Sequence, residues 1–96
     1  MKFIHTGDLH FNKERSCMVL KVLDSIIAKC KKGMDAVFIC GDFWDSTISV
    51  SDASCFNLAL DKMSELVETK VPIHMIYGTP SHENAGSLHC FEKIGC

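Results

Sequence analysis

The chain has 96 residues, 47% hydrophobic and 23% charged, the make-up of one small folded soluble domain and not of a disordered tail. Its formal net charge of −2 excludes a nucleic-acid module that relies on bulk positive charge, but not an enzyme that reaches phosphates through metal ions. No apolar run approaches the roughly 20 residues of a membrane span, and the opening Met1-Lys2-Phe3-Ile4-His5-Thr6-Gly7-Asp8 lacks the pattern of a signal peptide, so a cytoplasmic protein without a membrane partner is expected.

The predicted elements alternate between strand and helix. Residues 2–6 are rich in β-formers and run into Gly7-Asp8, which predicts a strand. Residues 13–32 carry apolar side chains at 19, 22, 23, 26, 27 and 30, the spacing of one buried helical stripe. Lys29, Lys31 and Lys32 complement the dipole at its end, and Gly33 can stop it. Lys13 and Arg15 read as a solvated helix start. Ala36-Val37-Phe38-Ile39-Cys40 is continuously apolar, as expected of a strand buried on both faces, and stops at Gly41-Asp42. Residues 52–69 form a second helical stripe at 56, 59, 60, 63, 66 and 67, with Ser51 or Asp52 as a suitable N-cap. Residues 72–77 predict a third strand ending at Gly78, followed by a loop over 79–86 and a short helix over 87–94 that Gly95 stops. The order β-α-β-α-β-loop-α implies an α/β fold with a mostly parallel sheet and flanking helices.

The six cysteines, at 17, 30, 40, 55, 90 and 96, include no CxxC pair and give no local zinc signature. Cys17, Cys30, Cys40 and Cys55 fall in apolar periodic segments and are expected as buried reduced thiols. His5 and His74 lie within strands and read as core or sheet-face histidines. His89 follows His82 by seven residues, which is not the spacing of a zinc-protease helix. Phe43 and Trp44 are expected to pack in the core or shield a site.

The chemistry lies where the strands end. In parallel sheets ligands sit at the carboxyl ends of strands. Here those ends carry Asp8-Leu9-His10, then Asp42 with Asp45 three residues later, then His82 and Glu83. A glycine before each of Asp8 and Asp42 lets the backbone turn tightly. Carboxylates with one imidazole suit Mn²⁺, Mg²⁺, Fe or Zn²⁺. A carboxylate shared between two such ions is a recurrent device for in-line displacement at phosphorus.

Gly7-Asp8-x-His10, Gly41-Asp42-x-x-Asp45 and the later Gly78…His82-Glu83 resemble, in order and spacing, the three motifs of the calcineurin-like metallophosphoesterase family. Residues 1–10 are similar to the start of its DNA-repair exonuclease (SbcD-like) branch. The resemblance implies that Asp8 and His10 bind a first metal and that Asp42 bridges two. It implies that His82 acts as general acid or stabilises the transition state, that Asp45 hydrogen-bonds His82, and that Glu83 supports the loop. The third motif departs from the family pattern. Two residues are added, and Ser81 stands where the family places a metal-binding Asn, with Asn84 on the other side of the histidine. The family fold is an α/β sandwich of two sheets, so the chain is expected to be about half of one, a truncated metallophosphoesterase domain over residues 1–96.

The expected function is metal-dependent hydrolysis of a phosphodiester by a dinuclear, manganese-type centre. DNA is the expected substrate and an ATPase subunit the expected partner, both implied by the resemblance. A phosphomonoesterase or small-molecule phosphodiesterase of the same family is the nearer alternative. A non-catalytic scaffold that binds a partner protein is the more distant one.

Overall fold

The computed structural model describes residues 1–45, 53–78 and 88–96, without the side chain of His89. Strand β1 (Phe3–Thr6) leads to helix α1 (Ser16–Gly33), strand β2 (Ala36–Cys40), helix α2 (Ala53–Val67), strand β3 (Ile73–Ile76) and helix α3 (His89–Ile94). The three strands form one parallel sheet in the order β1-β2-β3. Both crossovers step in the same direction, and a common hand puts both helices on one face. Accordingly α1 and α2 pack against each other.

The register shows which side chains share a face. Ile4, Val37 and Ile73 form one row and Thr6, Ile39 and Met75 the next, all on the side of the helices. Val37, Ile39 and Ile73 are buried there with Val19, Leu23, Ile26, Ile27 and Cys30 of α1 and Cys55, Ala59, Met63 and Leu66 of α2. The opposite face carries Phe3, the row His5–Phe38–His74, then Cys40 beside Ile76. On that face Phe3 and Ile76 are exposed, and Phe38 is half-buried between the Phe3 ring at 5.7 Å and the His74 ring stacked at 5.1 Å. The apolar run of β2 therefore marks the central position in the sheet and not burial on both faces. His5 and His74 are both exposed sheet-face residues.

Other expectations shift locally. α1 begins at Ser16, because residues 13–15 form a turn whose hydrogen bonds come from side chains: the Arg15 N–H donates to Asn12 Oδ1 at 2.7 Å and Ser16 Oγ donates to the Lys13 carbonyl at 3.0 Å. Arg15 is half-buried, with Nη2 donating to the Leu9 carbonyl at 3.4 Å, so it props the preceding loop and is not a solvated helix start. Cys30 and Cys55 are buried, but Cys17 is exposed because it lies off the α1 stripe, and Cys40 is half-buried on the open sheet face. Burial, with the Cys90 thiol beside it, pushes the Cys96 thiol up to about 11. At the end of α3, Gly95 takes a left-handed φ of 114° and its N–H returns to the Glu92 carbonyl, the glycine stop that the sequence predicts. Ser51 and Asp52, the expected N-caps of α2, lie outside the described residues.

Candidate metal centre

The chain leaves β1 and β2 at the same end of the sheet, and the two departing segments stay paired. The Asp8 N–H donates to the Gly41 carbonyl (3.2 Å), His10 N–H to Asp42 O (2.9 Å) and Phe11 N–H to Phe43 O (2.7 Å). The Asp45 N–H returns to Phe11 O at 3.1 Å, and Phe11 and Trp44 form an isolated parallel bridge. Two loops hydrogen-bonded to each other hold side chains as a strand pair does, without the flat alternation of a strand.

The alternation is instead created by backbone twists. Asp8 (φ 52°), His10 (φ 51°) and Asp42 (φ 50°) all adopt the left-handed conformation. That region is uncommon for residues with a Cβ, is most accessible to Asn, Asp and His, and tends to be occupied at functional sites. Each twist turns a polar side chain toward one place while its neighbours go inward. Leu9 and Phe11 are buried in the core, as are Phe43 and Trp44.

Beneath the loops Phe11, Phe43, Trp44 and Phe91 form an aromatic cluster. Phe43 meets Phe91 edge-on at 4.8 Å and Trp44 at 5.2 Å, and Phe11 stacks on Phe43 at 5.9 Å. Rings at these separations prefer such geometries and make a stiff floor. Phe43 and Trp44 thus support the site from below. Phe11 and Phe91 share the task, although their sequence positions give no signal beyond being aromatic.

Above that floor, one potential ligand atom from each of Asp8, His10 and Asp42 falls within 4.8 Å of the others. Among the described residues Asp42 is the charged residue that is buried, at 8% exposure, whereas Asp8 is exposed. Nε2 of His10 lies 4.0 Å from Oδ1 of Asp8, and Nδ1 lies 3.5 Å from Oδ1 of Asp45. Two carboxylates and an imidazole, one carboxylate withdrawn from water, form a donor set that fits a divalent cation of the Mn²⁺, Fe or Zn²⁺ kind. Burying a carboxylate costs free energy, and a cation bound at Asp42 would offset that cost.

Close backbone contacts hold this arrangement. A Cβ on Gly7 would stand 2.5 Å from the Cys40 carbonyl oxygen. A Cβ on Gly78 would overlap both the backbone nitrogen and Oδ1 of Asp42. Gly78, read from sequence as the stop of a strand, is therefore the wall against which the Asp42 carboxylate rests. Asn12, also missed from sequence, donates from Nδ2 to Asp45 Oδ2 at 3.0 Å. Its position at the head of the 13–15 turn, where Asn is a favoured turn residue, was the available signal. Of the sequence-predicted site residues, Asp8, His10, Asp42 and Asp45 come together here. Ser81, His82, Glu83 and Asn84 lie outside the described residues.

The calcineurin-like phosphoesterase family matches residues 1–92 of this chain. No curated protein matches it. The sheet order, the two Gly-Asp turns and the ligand cluster agree with that assignment. With 92 of 96 residues matched, the chain belongs to the calcineurin-like phosphoesterase family, whose members bind divalent metal ions and hydrolyse phosphate esters.

Proposed function

We propose that this chain contributes the metal-binding core of a phosphodiesterase acting on DNA, with manganese as the working ion. The observation that carries the reading is the convergence of Asp8, His10 and Asp42 within 4.8 Å at the carboxyl ends of two neighbouring parallel strands, all three in the left-handed conformation. Backbone strain of this kind costs about 1–3 kcal/mol per residue, and a charge-converging site is where it serves a purpose. The DNA substrate and an ATPase partner subunit rest on the resemblance of residues 1–10 to the SbcD-like branch.

In this reading Asp8 and His10 would hold one cation, Asp42 would be shared with a second, and Ser81 is the candidate further ligand for the second. Bound divalent ions supply Lewis-acid charge at phosphorus and make water a better nucleophile near neutral pH. The chain's own residues do the rest. The left-handed turns hold the ligands preorganised, and Gly78 packs against the buried side of Asp42. His82 gives a proton to the leaving oxygen as the phosphorus–oxygen bond breaks, so that water and diester become a monoester and an alcohol.

The test is thermal unfolding of the full chain with and without Mn²⁺, beside Asp42→Asn, followed by hydrolysis assays. An ion that binds the folded form alone adds about 2.7 kcal/mol at 100 times its Kd. For a domain of this size that raises Tm by on the order of 10 °C or more. Mn²⁺-dependent cleavage of a single- or double-stranded oligonucleotide, lost in Asp42→Asn, supports the nuclease. Turnover confined to p-nitrophenyl phosphate points to a monoesterase. No Mn²⁺ effect on Tm in either protein overturns the metal-dependent reading and favours a scaffold.

A further inference from the structure

Asn12 lies outside the three motifs, yet both ends of its amide are engaged at the edge of the site. Nδ2 donates to Oδ2 of Asp45 at 3.0 Å, and Oδ1 accepts the Arg15 N–H at 2.7 Å. An amide with a carboxylate on one side and a backbone N–H on the other has one orientation that satisfies both. The other oxygen of Asp45, Oδ1, lies 3.5 Å from Nδ1 of His10. The remaining nitrogen, Nε2, is on the side of Asp8, at 4.0 Å. The backbone ties the same residues together, because the Asp45 N–H donates to Phe11 O between His10 and Asn12. Arg15 closes the loop from outside through its bond to the Leu9 carbonyl.

We propose that Asn12 is a positioning residue of the metal centre, acting through Asp45 on His10. Asp45 is partly exposed and carries two oxygens that water could turn. Asn12 takes one of them, which leaves the other facing Nδ1. A carboxylate beside Nδ1 keeps the imidazole proton there and presents the Nε2 lone pair to the cluster. The purpose rests on the metal-dependent function proposed above, whereas the geometry does not.

The experiment uses the full chain as wild type, Asn12→Ser, Asn12→Ala, Asp45→Ala and the Asn12→Ala/Asp45→Ala pair, with Asp42→Asn as a control. Two readouts are taken. The first is the position of the His10 ring proton by ¹⁵N NMR of the metal-free protein, about two pH units above histidine's ordinary pKa of ~6.5. The second is Mn²⁺ affinity by electron paramagnetic resonance. Serine can still accept the Arg15 N–H that closes the 13–15 turn but has no amide to reach Asp45. The expected result is an Nδ1 proton in wild type that redistributes toward Nε2 in both Asn12 variants. Mn²⁺ affinity should fall by about tenfold or more in each, while Asn12→Ser keeps the melting temperature of the metal-free protein. In the Asp45→Ala background, Asn12→Ala should cost no further affinity.

An unchanged tautomer in Asn12→Ser, or an equal loss of affinity with and without Asp45, overturns the proposal. Recovery of both readouts by serine does so as well, because it would make Asn12 a residue of the 13–15 turn alone. If wild type binds no Mn²⁺, the metal-dependent function fails and the tautomer alone decides the role of Asn12. Asp42→Asn should lose affinity with the His10 tautomer intact.

Discussion

Gly7-Asp8 and Gly41-Asp42 are the same dipeptide at the ends of adjacent strands, and they work differently. Gly41 itself takes a left-handed φ of 82°, whereas Gly7 does not, and its missing Cβ instead clears the Cys40 carbonyl. Both aspartates are left-handed, but Asp8 is exposed and Asp42 is buried. The cause is sheet order. β1 lies at the edge of the sheet, so one flank of its loop faces water. β2 lies between β1 and β3, so Asp42 has the His10 N–H on one side and Gly78 on the other. One local motif thus yields an exposed carboxylate and an enclosed one.

The largest effect is expected where the enclosed side is breached. Gly78→Ala places a methyl group on the backbone and carboxylate of Asp42. Overpacking against backbone costs about 3 kcal/mol, and denaturant unfolding should show that loss together with abolished Mn²⁺ binding. A loss below about 1 kcal/mol would mean that Asp42 has room to move and that the enclosure is not tight.

Next comes the paired substitution Asp42→Asn and Asp8→Asn. Asparagine tolerates the left-handed conformation, so each change tests charge and not backbone strain. Asp42→Asn should erase the Mn²⁺-dependent stabilisation of about 2.7 kcal/mol expected near saturation. It should also make the metal-free protein more stable than wild type, since a buried carboxylate costs free energy to desolvate. Asp8→Asn should weaken the Mn²⁺ response without changing metal-free stability. Equal effects of the two in the metal-free protein would erase the contrast between edge and centre.

A smaller contrast separates the two glycines. Gly7→Ala must displace the Cys40 carbonyl and should cost about 2 kcal/mol. Gly41→Ala carries the left-handed penalty of about 1–2 kcal/mol, and its Cβ would meet the Gly78 Cα at 3.3 Å. Replacing Gly41 by Asn, which accepts a positive φ, should recover part of that loss, whereas Gly7→Asn should recover none.

The smallest effect lies away from the site and sets a baseline. Lys62 of α2 reaches Asp24 of α1 at 2.6 Å and Glu65 at 2.8 Å. The bond to Asp24 first, then that to Glu65, raises its pKa. The ammonium form is thus favoured in the folded state, and the contribution is complete below lysine's ordinary pKa of about 10.4 and lost as pH rises through the raised value. Lys62→Ala should cost under about 1 kcal/mol by denaturant unfolding at neutral pH, and nothing at strongly alkaline pH.

Much of this architecture is legible in the chain itself. The 3.6-residue stripes of α1 and α2, the short β-rich runs and the glycines that follow them are local signals, and local signals survive without tertiary context. They yield the βαβαβ order, the parallel sheet and the positions of Asp8, His10, Asp42 and Asp45. Boundaries drift where side chains replace backbone partners, as at Asn12 and Arg15 ahead of α1.

The order of strands, the burial of Asp42, the contact of Gly78 with it and the approach of Asp45 to His10 depend on which segments become neighbours across more than 30 residues of chain. No pattern within a window encodes such distances. Residue identity therefore determined by itself which groups could bind a cation and at which strand ends they stand. Tertiary structure alone decided which of them is enclosed, which is exposed and which orients another, because enclosure and orientation are set by neighbours distant in sequence.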